Sequence, residues 1–449
     1  MAQKQGNSNF VAVLTMIFLF GMISFVTNLA APIGNIWKMQ PGIDGSNTLG
    51  MMGNMMNFLA YAIMGIPAGK MLSKIGYKKT ALIAIAVGLL GVFVQFCSGL
   101  MPIEKVELTV NEFGDPVYPA GLSIPPSFYI YLLGAFIAGF SVCMLNTVVN
   151  PMLKVLGGKR SNQYIQIGGS FNSLMGTLTP MLVGVLIGEL VKGKSVISDV
   201  NPVLFIAMGV FAAAFLILLF IPIEDPEAVK SDGKAVSPWK YRHFIFGIIA
   251  IFLYVGVEVG IPGTLNFYLS DRTGSGAGLD PSIAVKTGGF VAGTYWLLML
   301  VGRLISSLIS GKVSSRAQLT FVSTLALALL VAAIFSPVTT KVSMPVFTGK
   351  AFEMAVVPLS ALLLVLCGLC TSVMWGTIFD LSVEGLGTAT NQASGIFMAM
   401  VVGGGILPLL QNFVADKVGY MVSYWVIFAA VVFILYFALI GSKVKKAQA

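Results

Sequence analysis

Residues 246–269 read FGIIAIFLYVGVEVGIPGTLNFYL, an apolar run with one carboxylate, Glu258, near its middle. A helix rising 1.5 Å per residue crosses the ~30 Å hydrocarbon core of a bilayer in about 20 residues. A charged side chain at the bilayer centre costs about 2.5–3.5 kcal/mol on insertion scales. A carboxyl escapes much of that cost by holding a proton or by pairing. Such a group can take a proton from one side and release it to the other as its hydration changes. The structural alternative is a glutamate held by Arg303 or by neighbouring hydrogen bonds.

The run is one of twelve. Apolar stretches of similar length fall at 10–34, 47–69, 80–100, 126–153, 163–188, 203–222, 243–269, 286–310, 318–337, 354–383, 390–412 and 421–440. Of the 449 residues, 57% are hydrophobic and only 10% charged, against about 25% charged in soluble domains. Backbone polar groups in lipid must be satisfied internally, so the runs are helices. Alternating segments of about 10 residues, the mark of an outer-membrane barrel, do not occur. The pattern predicts an all-α, multi-pass membrane protein with twelve transmembrane helices. The first run is too long for a signal-peptide core and is followed by further spans, so it reads as an uncleaved first helix.

The formal charge of +9 does not point to nucleic acid. With the N-terminus in the cytoplasm, 17 of the 27 Lys and Arg residues fall on the cytoplasmic side, nine outside, and Arg303 within a helix. That bias predicts both termini in the cytoplasm of a cell's inner membrane. Cys367 and Cys370 form a CxxC inside an apolar helix, where a thiolate is disfavoured, so they read as packing residues with Cys97 and Cys143. His243 reads as interfacial. No metal-ligand cluster, phosphate-binding GxxxxGK[ST] loop or nucleophile elbow occurs, so an enzyme, a catalytic residue and a bound cofactor are not expected.

The polar stretch 222–243 divides the runs six and six. The predicted organisation is an N-terminal bundle, 1–222, a cytoplasmic linker, 223–242, and a C-terminal bundle, 243–449. An insertion at 101–126 contains ELTV and NEFGDPVY and predicts a short external hairpin or cap. Shifted by 230 residues, NTVVNPMLKVLG (146–157) lies over GTIFDLSVEGLG (376–387), with Thr147 on Thr377. Shifted by 229, Asn162–Gln163 lies over Asn391–Gln392; both following helices carry GxxxP, Gly176 to Pro180 and Gly404 to Pro408. Internal repeats of this kind mark secondary transporters whose site lies near the midplane between the repeats.

Polar side chains recur at that depth: Asn28; Asn54, Asn57 and Tyr61 on one helical stripe; Asn146 and Asn150; Gln166, Asn172 and Ser173; Tyr254 and Asn266; Trp296 and Trp375. Amides with aromatic faces suit a neutral, hydroxyl-rich solute. An anion would want more than the single midplane cation Arg303. Asp380, deeper than its helix end, is a second acid and a possible ion-pair partner.

The loop GKMLSKIGYKK (69–79) resembles the signature between helices 2 and 3 of the major facilitator superfamily, with Ser73 in place of the acid and Tyr77 in place of a basic residue. FLYVGVEVGIPGTLNFYL (252–269), GTIFDLSVEGLGTATNQASG (376–395), GGGILPLLQNFVADKVG (403–419), NPMLKVLG (150–157), GGSFNSLMG (168–176) and LVGRLISSLIS (300–310) resemble the fucose–proton symporter family and its glucose/galactose branch. The resemblance implies the major facilitator fold with two pseudo-symmetric six-helix bundles, and monosaccharide uptake in symport with a cation, proton or sodium. It implies Gly69, Lys74, Gly76 and Lys78 as a gating loop. The helix 1 Asp and helix 4 Glu of fucose symporters correspond to Ala31 and Asn146, and a helix 5 Gln to Gly169. Glu258 is thus the expected coupling group. Asn28, Asn57, Tyr61, Asn146, Gln166, Asn172, Tyr254, Asn266, Trp296 and Trp375 are the expected sugar-binding residues. The partners expected are a sugar and the lipid bilayer, with the chain acting as a monomer. An exporter of amphipathic compounds and a uniporter are the alternatives. A non-transporting sensor would carry a signalling domain, and only nine residues follow the last run.

Overall fold

A computed structural model describes residues 2–104, 106–110, 116–157, 161–221, 237–309, 312–386 and 390–444. The side chains of Ser73, Asn150, Asn162, Gln163, Gln166, Asn391 and Gln392 lie outside the described set, as do linker residues 222–236. Among the described residues, twelve helices are long and apolar enough to cross a membrane. Spans 1 to 6 are Phe10–Trp37, Asn47–Leu72, Lys74–Ser98, Pro126–Leu153, Ile167–Ile187 and Ile197–Phe220. Spans 7 to 12 are Arg242–Ser270, Pro281–Ser306, Ser315–Phe335, Leu359–Val383, Gly395–Val418 and Tyr420–Gly441. Span 1 begins and span 12 ends on the same face of the bundle, here the termini face; the opposite face is the distal face.

Proline frees a backbone carbonyl in each of two spans. Pro32 has no N–H to give the Asn28 carbonyl, and the helix is interrupted at Asn28–Leu29. Asn28 there turns its amide back onto Ser24, to the carbonyl (2.9 Å) and the hydroxyl (3.2 Å). Pro408 likewise frees the Gly404 carbonyl in span 11, just past a break at Val401–Val402. Asn54 of span 2 takes it, donating at 2.8 Å. A freed carbonyl in lipid needs such a partner, and here the partner crosses between the first six spans and the last six.

Spans 2 and 3 follow one another without a loop and turn at Gly76 (φ 82°, ψ 175°), a positive-φ position that favours glycine. Lys78, just beyond, donates to the Leu219 and Ile221 carbonyls at 3.0 and 2.7 Å. These are unsatisfied carbonyls at the end of span 6. Lys74 is exposed.

The insertion between spans 3 and 4 forms the expected hairpin: β1 (Thr109–Val110) pairs antiparallel with β2 (Pro116–Val117). A second hairpin between spans 9 and 10 is not anticipated from the sequence. There β3 (Lys341–Phe347) pairs with β4 (Phe352–Pro358), turning at Gly349 (φ 89°). The apolar run read as starting at residue 354 is therefore strand to Pro358, and span 10 starts at Leu359. The β-branched Val356 and Val357 before a proline favour extended backbone. The two hairpins occupy equivalent places in the two sets of six, which extends the internal repeat.

Spans 5 and 8 approach most closely at glycine. A Cβ on Gly289 would meet the Pro180 carbonyl oxygen at 2.5 Å, and one on Gly293 the Thr177 carbonyl oxygen at 2.6 Å. Small residues permit such contact between membrane helices. Gly289→Val is expected to cost about 1–3 kcal/mol by overpacking, because backbone cannot yield as a side chain can. Gly209→Val, where a Cβ meets nothing within 4 Å, is the control. Thermal unfolding in detergent should show a lowered midpoint for the first and an unchanged one for the second.

Candidate functional site

Span 8 carries Arg303 to the seam between the first six spans and the last six. Its guanidinium donates to the Gly169 carbonyl (3.1 Å) and the Ser173 hydroxyl (2.8 Å) of span 5. The other terminal nitrogen lies 3.3 Å from the Glu258 carboxylate of span 7. A guanidinium presents a planar fork of donors and keeps its charge, so one side chain ties three helices. The Glu258 and Arg303 side chains retain 13% and 20% of their accessibility. A methyl group on Gly169, or on Gly376 in span 10, would meet no atom within 4 Å. Open space therefore lies beside Gly169, whose carbonyl Arg303 holds.

Aromatic rings frame the pair. Tyr254, one turn before Glu258, is fully buried and meets Trp375 edge-on, ring centroids 6.1 Å apart. Trp296 lies against Gly176 of span 5 and packs on Tyr295. The Tyr295 hydroxyl shares a 2.9 Å hydrogen bond with Thr371. Glu258, Arg303, Ser173, Tyr254, Trp296 and Trp375 thus come from spans 5, 7, 8 and 10 at one seam.

Other residues singled out in the sequence lie elsewhere or are already engaged. Asn172 donates to the Phe20 carbonyl (2.9 Å) and holds span 5 on span 1. Asn28 is turned onto Ser24. Asn146 donates to the Tyr61 hydroxyl at 2.6 Å, and Tyr61 stacks on Phe58. Asn57 is buried, its Oδ1 without a hydrogen-bond partner among the described residues. Asn266 sits near the distal end of span 7, where it accepts from Asn35 at 2.6 Å. Asp380 does not reach Arg303: it is exposed on the termini face and accepts from Ser315 at 2.6 Å. Glu258 is the nearer acid because spans 7 and 8 pack side by side.

The distal face is closed across the seam. Besides Asn35 and Asn266, Arg272 pairs with Glu189 at 2.7 Å. Asp416 of span 11 accepts from the backbone N–H groups of Asn47 (2.6 Å) and Thr48 (2.8 Å) at the start of span 2. Lys38, Tyr420 and Asp271 meet beside them. Apart from Asn266, expected at the sugar site, sequence reading missed this set, whose members are polar residues at span ends with no common spacing.

Among the described residues no group of three or more His, Cys, Asp or Glu could hold a metal ion.

The family model of the Major Facilitator Superfamily matches residues 11–408. The chain is 28% identical over 451 residues to the glucose/galactose transporter of Brucella abortus (strain 2308), covering 98% of this chain and 96% of that one. It is 22% identical over 390 residues to the L-fucose–proton symporter of Escherichia coli (strain K12), covering 81% and 77%. The crystal structure of FucP in the outward conformation superposes with a TM-score of 0.62 at 18% identity, covering 97% of this chain and all of that one. A bacterial homolog of the human lysosomal transporter Spinster, inward-facing and unoccupied, gives 0.60 at 14% identity, covering 97% and 96%. These two likenesses show the twelve-helix fold.

Removing one partner of a half-buried ion pair leaves the other uncompensated. Arg303→Met is therefore expected to lower the unfolding midpoint more than the double variant Glu258→Gln/Arg303→Met does. Simple additivity of the two single effects in the double variant would show that the charges are not coupled.

Proposed function

Because the chain belongs to the Major Facilitator Superfamily, we propose that it is a secondary active transporter taking up a hexose-like monosaccharide by alternating access, in symport with a cation. The names and full-length coverage of the glucose/galactose and L-fucose–proton relatives support the sugar. The basic bias of the loops that join the spans on the termini face supports cytoplasmic termini in a cell's inner membrane. With that sidedness, the closed distal face is the outer one. Bundles 1–222 and 243–449, joined by the linker 223–242, would rock about the seam, with Gly69, Lys74, Gly76 and Lys78 in the turn between spans 2 and 3.

The observation that carries the reading is Arg303, held by Glu258 on one side and by span 5 on the other. When Glu258 takes a proton or a sodium ion, Arg303 loses its counter-charge. The guanidinium is then no longer held on the span 7 side and can exchange Ser173 and Gly169 for water or sugar, so that the seam between spans 5 and 8 can reopen. Sugar hydroxyls can occupy the same donors and acceptors, with Trp296, Trp375 and Tyr254 supplying apolar faces. Cation and sugar thus act on one pair of side chains, so that each changes the free energy of binding the other. Asn57, Asn146, Tyr61 and Gln166 belong to the sugar path in this reading, and Asn28 and Asn172 support its wall. The chain works as a monomer.

Uptake of labelled D-glucose, D-galactose and L-fucose into proteoliposomes tests it, under proton and sodium gradients imposed separately. Wild type should accumulate at least one sugar several-fold under one of the gradients. Glu258→Gln should abolish accumulation while keeping sugar exchange. Equal accumulation by both proteins would remove Glu258 from coupling. Exchange without gradient-driven accumulation in wild type would make the protein a uniporter.

A further inference from the structure

Lys38 is the next residue after span 1, and it is only 3% exposed. Its ammonium donates to Asn47 Oδ1 and, at 3.1 Å, to the Tyr420 hydroxyl. It lies over the Phe267 ring, 4.6 Å from the centroid, and near the Tyr420 ring at 5.7 Å. The Tyr420 hydroxyl is 2.8 Å from both Asn47 Oδ1 and Asp271 Oδ2. It has one proton and so donates to one of them at a time. Lys38 and Asn47 belong to the first six spans; Phe267, Asp271 and Tyr420 belong to the last six or border them.

This is an unusual way to bury a lysine. A buried charge normally has a directly bonded counter-charge. Here Asp271 is reached through one hydroxyl. Burial pushes the Lys38 ammonium toward its neutral form, opposed by the nearby Asp271 and Asp416 carboxylates. Burial also pushes the Asp271 carboxyl up, but Lys38 and hydrogen bonds from Thr273 and Tyr420 hold it below the usual carboxylate range. Each charge therefore depends on the other, and the two stand on opposite sides of the seam. When the sides part, water can replace every lost contact, so the network can break and reform.

Beside it Asp416 acts as a second tie. It caps span 2 from span 11 through two backbone N–H groups, the Thr48 hydroxyl (2.6 Å) and the Ser46 hydroxyl (3.0 Å). A carboxylate is favoured at a helix N-terminus, but here it comes from the other side of the seam.

We infer that the Lys38–Tyr420–Asp271 relay is the latch that holds the distal face shut, and that its release is a required step of the transport cycle. The inference rests on the alternating-access reading. It assigns Lys38, Tyr420 and Asp271 roles in gating, separate from the sugar and coupling roles of Glu258 and Arg303.

The test measures opening directly, without sugar. Cysteines replace the exposed distal residues Ser123 and Ser275 in a full-length chain whose four native cysteines are changed to alanine. Spin labels on them report the distance between the two sides of the seam in lipid nanodiscs. The parent should show mainly one short distance. Lys38→Met and Tyr420→Phe should each raise a longer-distance population several-fold. Tyr420→Phe removes a single oxygen and keeps the ring packed against Tyr268, so it guards against misfolding of the lysine variant. An unchanged distribution in folded Tyr420→Phe overturns the latch. The sugar reading fails separately: opening by the variants together with absence of hexose flux in wild type would leave the latch standing and remove the substrate.

Discussion

A guanidinium inside a membrane protein cannot shed its charge, and lipid offers it no acceptor. Arg303 meets that constraint with a carbonyl and a hydroxyl from span 5 and a carboxylate from span 7. Much of the seam follows from it. Span 8 must run close enough to span 5 for the guanidinium to reach, and the glycine contacts at Gly289 and Gly293 allow that approach. Span 7 must present Glu258 at the same height. The result is a charge-assisted tie between the two sets of six spans, with open space beside Gly169.

The remaining midplane polarity divides by what each group touches. Some amides satisfy backbone that proline has freed or that another helix exposes. Asn54 on the Gly404 carbonyl and Asn172 on the Phe20 carbonyl are of this kind. They hold helix to helix, and Asn54 does so across the seam. Others face side chains, as Asn146 faces Tyr61, and can exchange that partner for a ligand hydroxyl. The closed distal face adds a third group, a set of hydrogen bonds and charges that water can replace when the sides part.

The twelve spans were legible because lipid imposes one rule on every residue of a 20-residue run. Glu258 was legible because a carboxylate breaks that rule. Arg303 was legible as the single cation at depth, and its pairing with Glu258 was the structural alternative that the sequence leaves open. The β3–β4 hairpin was not legible: Met354 to Pro358 is apolar and adjoins span 10, so a search for apolar runs merges strand with helix. Asp380 misled because distance along the chain stands in poorly for depth near a helix end. Lys38 and Tyr420 meet across 382 positions, and no periodicity links residues that only tertiary packing brings together. The roles of the polar stripe were only partly legible, since an asparagine bonded to backbone and one facing a ligand look alike in a sequence.

If Glu258 carries coupling, its carboxylate changes partner or protonation when sugar binds. Infrared difference spectroscopy of the reconstituted protein, with and without D-glucose, D-galactose or L-fucose, reads carboxyl groups directly. A sugar-induced band in the carboxylate or carboxylic-acid region is expected in wild type and should be missing in Glu258→Gln. Identical difference spectra from the two proteins, with sugar bound in both, would contradict it.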